Sequence, residues 1–230
     1  IPEKLYGREG EIATLLAAFD RVVMHGGSEL VLVSGYSGIG KSSVVNELHK
    51  VIVLPRGIFI SGKFDLRLTY TPHSTLAQAF QGLIQQLLNG HTDNIARWRD
   101  AIKEAVGNQG RLLTDLIPGL VRLIGPQPTV AVLSPVDAQL RFQTVFQRFV
   151  GVFAGAEHPL VIFVDDLQWL DPATLTLIEY LLLHPDTRHL LVIGAYRDNE
   201  VDSAHPLMLK LEDLRRAGAN RRHVALGVLR

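Results

Sequence analysis

Gly35-Tyr36-Ser37-Gly38-Ile39-Gly40-Lys41-Ser42 meets every fixed position of the pattern G-x-x-x-x-G-K-[ST]. Before it runs Leu30-Val31-Leu32-Val33, an apolar and largely β-branched stretch that reads as a buried strand. After it, residues 42–50 have helical character. Strand, glycine loop and helix form an anion cradle, because a helix N-terminus offers unpaired N–H donors and the positive end of its dipole. Glycines let the backbone curl close to phosphate oxygens, where a Cβ would intrude. We therefore read Gly35, Ser37, Gly38, Ile39, Gly40, Lys41, Ser42 and Ser43 as a phosphate-binding set. Lys41 supplies a mobile charge for the β- and γ-phosphates, and the Ser42 hydroxyl a ligand for Mg2+.

A second motif supports the first. Leu160-Val161-Ile162-Phe163-Val164-Asp165-Asp166 is an apolar run ending in two acids, the form of a buried parallel strand with carboxylates at its C-terminal edge. Ligands of open α/β sheets bind at that edge. Asp165 is placed to hold Mg2+, and Asp166 to orient or deprotonate an attacking water. Arg197 follows a further apolar run, residues 190–195, and would reach the same edge, where a guanidinium can read a terminal phosphate bidentately. Arg8, in Tyr6-Gly7-Arg8-Glu9, precedes the first helix and is a candidate contact to base or phosphate.

Between the second strand, residues 58–61, and the acidic one lies a long interval with helical periodicity. Residues 74–88, 94–106, 111–124 and 135–154 read as helices, the last carrying Leu140, Phe142, Phe146, Phe149 and Phe153 as an apolar stripe. Asp171-Pro172 opens another helix, as an N-cap followed by proline at the first helical position. Strands alternating with helices predict a parallel sheet, and hence an α/β fold, with a largely helical insertion at residues 63–158.

Composition narrows the chemistry. The 230 residues are 47% hydrophobic and 20% charged, with zero formal net charge, so a large core can be buried and no global attraction to polyanions exists. Six basic residues after Pro206 read as a solvated face. The absence of cysteine excludes disulfides and thiolate metal sites, and agrees with a cytoplasmic location. No apolar stretch reaches the ~20 residues of a membrane span. Histidines show no metal spacing, and no G-x-S-x-G elbow is present. The chain opens on Ile1 and closes on Gly227-Val228-Leu229-Arg230; we expect a domain excised from a longer protein.

Taken together, the segments around Tyr6-Gly7-Arg8, the glycine loop, Ser61-Gly62-Lys63-Phe64-Asp65, Gly125-Pro126-Gln127-Pro128, Asp165-Asp166-Leu167-Gln168-Trp169 and Ala195-Tyr196-Arg197-Asp198-Asn199-Glu200 resemble the AAA+-like signal-transduction ATPases with numerous domains (STAND-type P-loop NTPases). Within these they are similar to the ATPase module of bacterial multidomain serine/threonine–histidine kinases. The resemblance implies a three-layer α/β/α fold, a five-stranded sheet in the order 5-1-4-3-2, ATP or ADP with Mg2+, and a sensor role for Arg197. It implies that residues 1–230 form one ATPase core, with a helical lid and winged-helix region beyond them. Partners would be the flanking kinase and sensor domains, together with nucleotide-dependent self-association. The function expected is a slowly hydrolysing, nucleotide-dependent switch. Two alternatives stay open: a DNA-linked ATPase of the origin-recognition or helicase-loader type, which the neutral charge opposes, and an interaction platform in which ATP is structural.

Overall fold

The central strands are apolar on both faces, and only a sheet covered on both sides can accommodate that pattern. The computed structural model describes residues 7–50, 56–65, 71–90 and 95–227. Its strands are β1 (Ser28–Ser34), β2 (Ile58–Lys63), β3 (Leu160–Asp165), β4 (Leu190–Tyr196) and β5 (Arg221–Ala225). They form one sheet in the order β2-β3-β4-β1-β5, with every pairing parallel. This is the expected order read from the other edge. Strands β1, β3 and β4 are buried almost throughout, whereas the edge strands β2 and β5 alternate between buried and open positions.

Helices α1 (Glu9–His25) and α2 (Lys41–Leu48) cover one face. Leu15, Phe19, Val44 and Leu48 pack there against Val31, Val33, Val161 and Ile193. The opposite face carries α3 (Ser74–Asn89), α4 (Ile95–Val106), α5 (Arg111–Leu116), α6 (Leu120–Ile124), α7 (Pro135–Phe153), α8 (Pro172–Leu183) and α9 (Pro206–Arg216). Its core is continuous from Leu30, Ile162 and Val192 of the sheet out to Phe80, Phe146, Phe149 and Phe153 of the insertion. Phe80 of α3 is 0% exposed and meets the rings of Phe149 and Phe146 at centroid separations of 5.1 and 5.6 Å. The insertion is therefore joined to the sheet by hydrophobic burial rather than tethered beside it.

Two details depart from the sequence reading. The helix expected over 111–124 is two helices, α5 and α6, because Pro118 lacks an amide hydrogen and disfavours helical geometry at Ile117, which sits at φ −123°, ψ 83°. Leu140, expected in the apolar stripe of α7, is 55% exposed, since the first turns of α7 run beyond the core that receives Phe146 and Phe149. The N-cap reading at Asp171 agrees with the structure: its side chain accepts from the Thr174 amide at 2.9 Å, with Pro172 opening α8. The helix start expected at Asn94 and the last three residues lie outside the described residues.

Candidate functional site

The C-terminal edge of the sheet gathers the chemistry. The loop between β1 and α2 curls through two left-handed glycines, Gly38 at φ 76° and Gly40 at φ 100°, conformations that a side chain would strain. Gly40 caps α2 without a side-chain acceptor, which leaves the first amides of that helix without a capping side chain. Lys41 is only 7% exposed. Its Nζ donates to the carbonyls of Gly35 at 2.7 Å and Tyr36 at 2.9 Å. Burial pushes its pKa down; the charge of Asp165 works in the opposite direction.

Parallel pairing brings the end of β3 to this loop, one strand removed. The Ser42 hydroxyl donates to Asp165 Oδ2 at 3.1 Å, and the Asp166 amide donates to Asp165 Oδ1 at 3.0 Å. Asp166 itself is left-handed, at φ 58°, ψ 48°. An aspartate tolerates this region better than most residues, yet the conformation is uncommon and concentrates at functional positions. The Asp166 carboxylate is nearly buried and lies 3.4 Å from Arg197 Nε. Arg197 Nη1 donates to Glu200 at 2.7 Å, Gln168 Nε2 donates to the other Glu200 oxygen at 2.9 Å, and Gln168 accepts from the Arg197 amide at 3.4 Å. The Glu200 hydrogen bond, and then Asp166, raise the pKa of Arg197; the same guanidinium holds Glu200 below the usual carboxylate range.

Ser37, Gly38, Gly40, Lys41, Ser42, Ser43, Asp165, Asp166 and Arg197 thus line one cavity of about 240 Å3, together with Lys63. A second cavity of about 750 Å3 adjoins it through Lys63, Asp166 and Arg197, and extends past Phe64, Gln78 and Trp169. Of the remaining sequence candidates, Gly35 contributes its carbonyl to Lys41, and the Ile39 carbonyl accepts from Arg8. Arg8 does not line either cavity. It is 4% exposed and donates to the carbonyls of Ile39 at 3.2 Å and Gly227 at 2.7 Å, with Glu11 at 3.0 Å as its ion-pair partner.

Three site residues escaped the sequence reading. Lys63 ends β2 in register with Asp165, a pairing visible only once strand order is known. Glu200 was three residues from Arg197, the one local signal available. Gln168 lay within the segment that carries the family resemblance, but its contacts depend on two turns meeting in space.

The donor set suits a hard cation. Ser42 Oγ and the Asp165 carboxylate offer oxygen donors, and the described residues contain no cluster of three or more His, Cys, Asp or Glu that would form an all-protein cage. Mg2+ characteristically takes one or two protein oxygens and completes its shell with water and substrate phosphates. The loop's amides, glycines and Lys41 suit the phosphates themselves.

Comparison with known proteins agrees with this geometry. A family model described as an AAA ATPase domain matches residues 4–193. The hybrid signal transduction histidine kinase G of Dictyostelium discoideum is 34% identical over 182 residues, covering 79% of this chain and 5% of that protein. Histidine protein kinase 1 of Candida albicans is 28% identical over 157 residues, covering 62% of this chain and 6% of its own length. The chain therefore spans only a small fraction of these relatives. Among solved structures, Cdc6p from Pyrobaculum aerophilum superposes with a TM-score of 0.53 at 13% identity, over 97% of this chain and 46% of that one. The Aeropyrum pernix ORC1 protein, solved in complex with DNA, gives 0.50 at 15% identity, over 98% and 46%. At such identities the likeness is one of fold.

Proposed function

The chain belongs to the AAA ATPase domain family, and on that basis we propose that its cleft binds ATP or ADP with Mg2+ and acts as a slowly hydrolysing, STAND-type nucleotide switch within a multidomain signalling kinase. The observation that carries this reading is the Ser42–Asp165 hydrogen bond of 3.1 Å, which couples the glycine loop to the acidic strand end beside Lys41 and Arg197. In this proposal the loop amides and Lys41 bind the phosphates, while Ser42 and Asp165 hold the metal. When bound, Mg2+ offsets charge on the phosphate oxygens and orients them. Asp166 orients water and accepts its proton, and Arg197 senses the terminal phosphate. Flanking kinase and sensor segments would read the outcome, as the names of the two relatives suggest.

Hydrolysis is expected to be slow. Arg197 Nε and Lys63 Nζ lie 3.4 and 3.7 Å from the Asp166 carboxylate, so an attacking water must compete with two cations for its place there. A switch tolerates such a rate. The test is an equilibrium titration with ATP, with and without Mg2+, of the wild type and Asp165→Asn. Wild-type binding that strengthens with Mg2+, and a variant in which that increment is gone, are the expected results. An Asp165→Asn protein with an undiminished Mg2+ increment would remove Asp165 from the site.

A further inference from the structure

The cleft holds three cationic side chains, and two of them are anchored by short hydrogen bonds. Lys41 is anchored by the Gly35 and Tyr36 carbonyls, and Arg197 by Glu200 at 2.7 Å. Lys63 is different. Its side chain is 65% exposed, and its Nζ lies 3.9 Å from Asp165 Oδ2 and 3.7 Å from Asp166 Oδ2, both beyond hydrogen-bond length. Its backbone is nonetheless fixed. The Lys63 amide donates to Gln78 Oε1 of α3 at 2.8 Å, and its Cα pairs in register with that of Asp165. A firmly placed stem therefore carries a loosely held ammonium over two acids, at the junction of the two cavities.

We propose that Lys63 is a ligand for the terminal phosphate, and that it lets the domain tell a nucleoside triphosphate from a diphosphate. The inference deepens the nucleotide reading of this cleft and rests on it. Phosphates cradled by the loop amides extend toward the strand-end acids, and the group that ATP has and ADP lacks reaches the part of the cleft farthest into β2 and β3. Lys63 keeps its carboxylate partners only while nothing else neutralises them. Once a cation shares Asp165 with Ser42, the ammonium faces like charge on the acids' side and a multiply charged anion on the other. Four methylenes give it the reach to exchange one for the other, as a point charge with three rotatable donors.

The experiment measures ATP and ADP affinities, each with Mg2+, for the wild type, Lys63→Ala and Lys63→Arg. A charge-assisted contact made to one nucleotide only predicts about a tenfold loss of ATP affinity in Lys63→Ala, with ADP affinity changed by less than about twofold. Lys63→Arg keeps the charge and recovers most of the ATP affinity. The exposed position predicts an unchanged melting temperature for both variants, so binding losses are not unfolding. Equal losses for ATP and ADP, or no loss of ATP affinity, would overturn the inference while leaving the nucleotide site intact. A wild type that binds neither nucleotide would remove the site and the inference together.

Discussion

Replacing Lys41 by methionine should separate the cost of burying this cation from its use. In the nucleotide-free protein two effects oppose each other. Removing a desolvated ammonium is favourable, as the downward pKa shift from burial shows. Against this, the buried Gly35 carbonyl loses its donor, which costs about 1–3 kcal/mol for an orphaned acceptor. The Tyr36 carbonyl lies on an exposed residue and regains water. The net change should be about 1 kcal/mol or less, equivalent to roughly 2–4 °C in melting temperature for a chain of this size. ATP affinity should respond very differently. Two charge-assisted contacts at about 1.5–3 kcal/mol each predict a loss of about a hundredfold or more. A pH series adds a signed check. Because burial lowers the folded-state pKa below the unfolded value of about 10.4, the folded state holds this proton less tightly. The burial penalty is complete below the folded pKa and is relieved as pH rises toward that unfolded value. Relative to Lys41→Met, the wild type should therefore gain stability across that window and lose ATP affinity across it. Calorimetry gives the first quantity and nucleotide titration the second. A variant that melts more than about 10 °C lower, or binds ATP within about threefold of the wild type, would refute the assignment of Lys41 as a phosphate ligand that tolerates burial for that purpose.

Three further outcomes follow from the same geometry. Asp166→Asn keeps the side chain's shape and removes its basicity; ATP affinity should stay within about threefold while single-turnover hydrolysis falls by about a hundredfold or more, and an undiminished rate would exclude proton transfer to Asp166. Phe80→Ala should cost about 3–5 kcal/mol in denaturant unfolding, because the ring is fully enclosed by Phe146, Phe149 and Phe153. Its unfolding should remain one transition, since sheet and insertion share a core; an insertion that melts separately would contradict that packing. Titration with duplex DNA over a range of salt should show no steep salt-dependent binding, as expected of zero net charge, and a steep log–log slope would favour the DNA-linked alternative.

The sequence was most legible where a local rule leaves one solution. The glycine loop needed no tertiary information, since spacing, the preceding apolar run and the following helix all agree at residues 30–50. The acids at 165 and 166 were legible because a run buried on both faces can end in charge only at a sheet edge. Legibility failed where the cause was three-dimensional. Lys63 lies about a hundred residues from its partners, and only the β2–β3 register brings it to them. The clamp of Gln168 on Glu200 joins two turns that periodicity cannot bring together. Leu140 fits the apolar stripe of its helix perfectly well, but the helix outruns the core. Pro118 was a local signal that the longer periodic pattern obscured.

A nucleotide switch must also satisfy an energetic condition, and the cleft can be judged against it. Moving a two-state population from 1:99 to 99:1 requires about 5.5 kcal/mol of differential affinity. ATP and ADP differ by one phosphate, so that difference must arise from groups that touch the terminal phosphate alone. One charge-assisted contact, at about 1.5–3 kcal/mol, is insufficient; about two to four are needed. In the proposed switch Lys41 would reach the β- as well as the γ-phosphate, contribute to both nucleotides, and so only partly count. Arg197 and Lys63 are the cations in the cleft whose present partners, Asp166 and Asp165, are themselves elements of the site. In the proposed switch, transfer of these cations to a phosphate would alter the charge balance at the end of β3 and in the left-handed turn at Asp166. That turn leads directly into Leu167–Trp169, and Gln168 within it holds Glu200 on the next turn. Gln168 thus joins the turn at Asp166 to the turn that follows β4, donating to Glu200 at 2.9 Å and accepting from the Arg197 amide at 3.4 Å. A switch built this way would weaken on loss of either cation and fail on loss of both. Arg197 and Lys63 share Asp166 as a partner, so Arg197→Ala and Lys63→Ala in combination should lower the ATP-to-ADP affinity ratio by a factor that departs from the product of their separate effects, measured by titration with each nucleotide; a simple product would show that the two cations act independently.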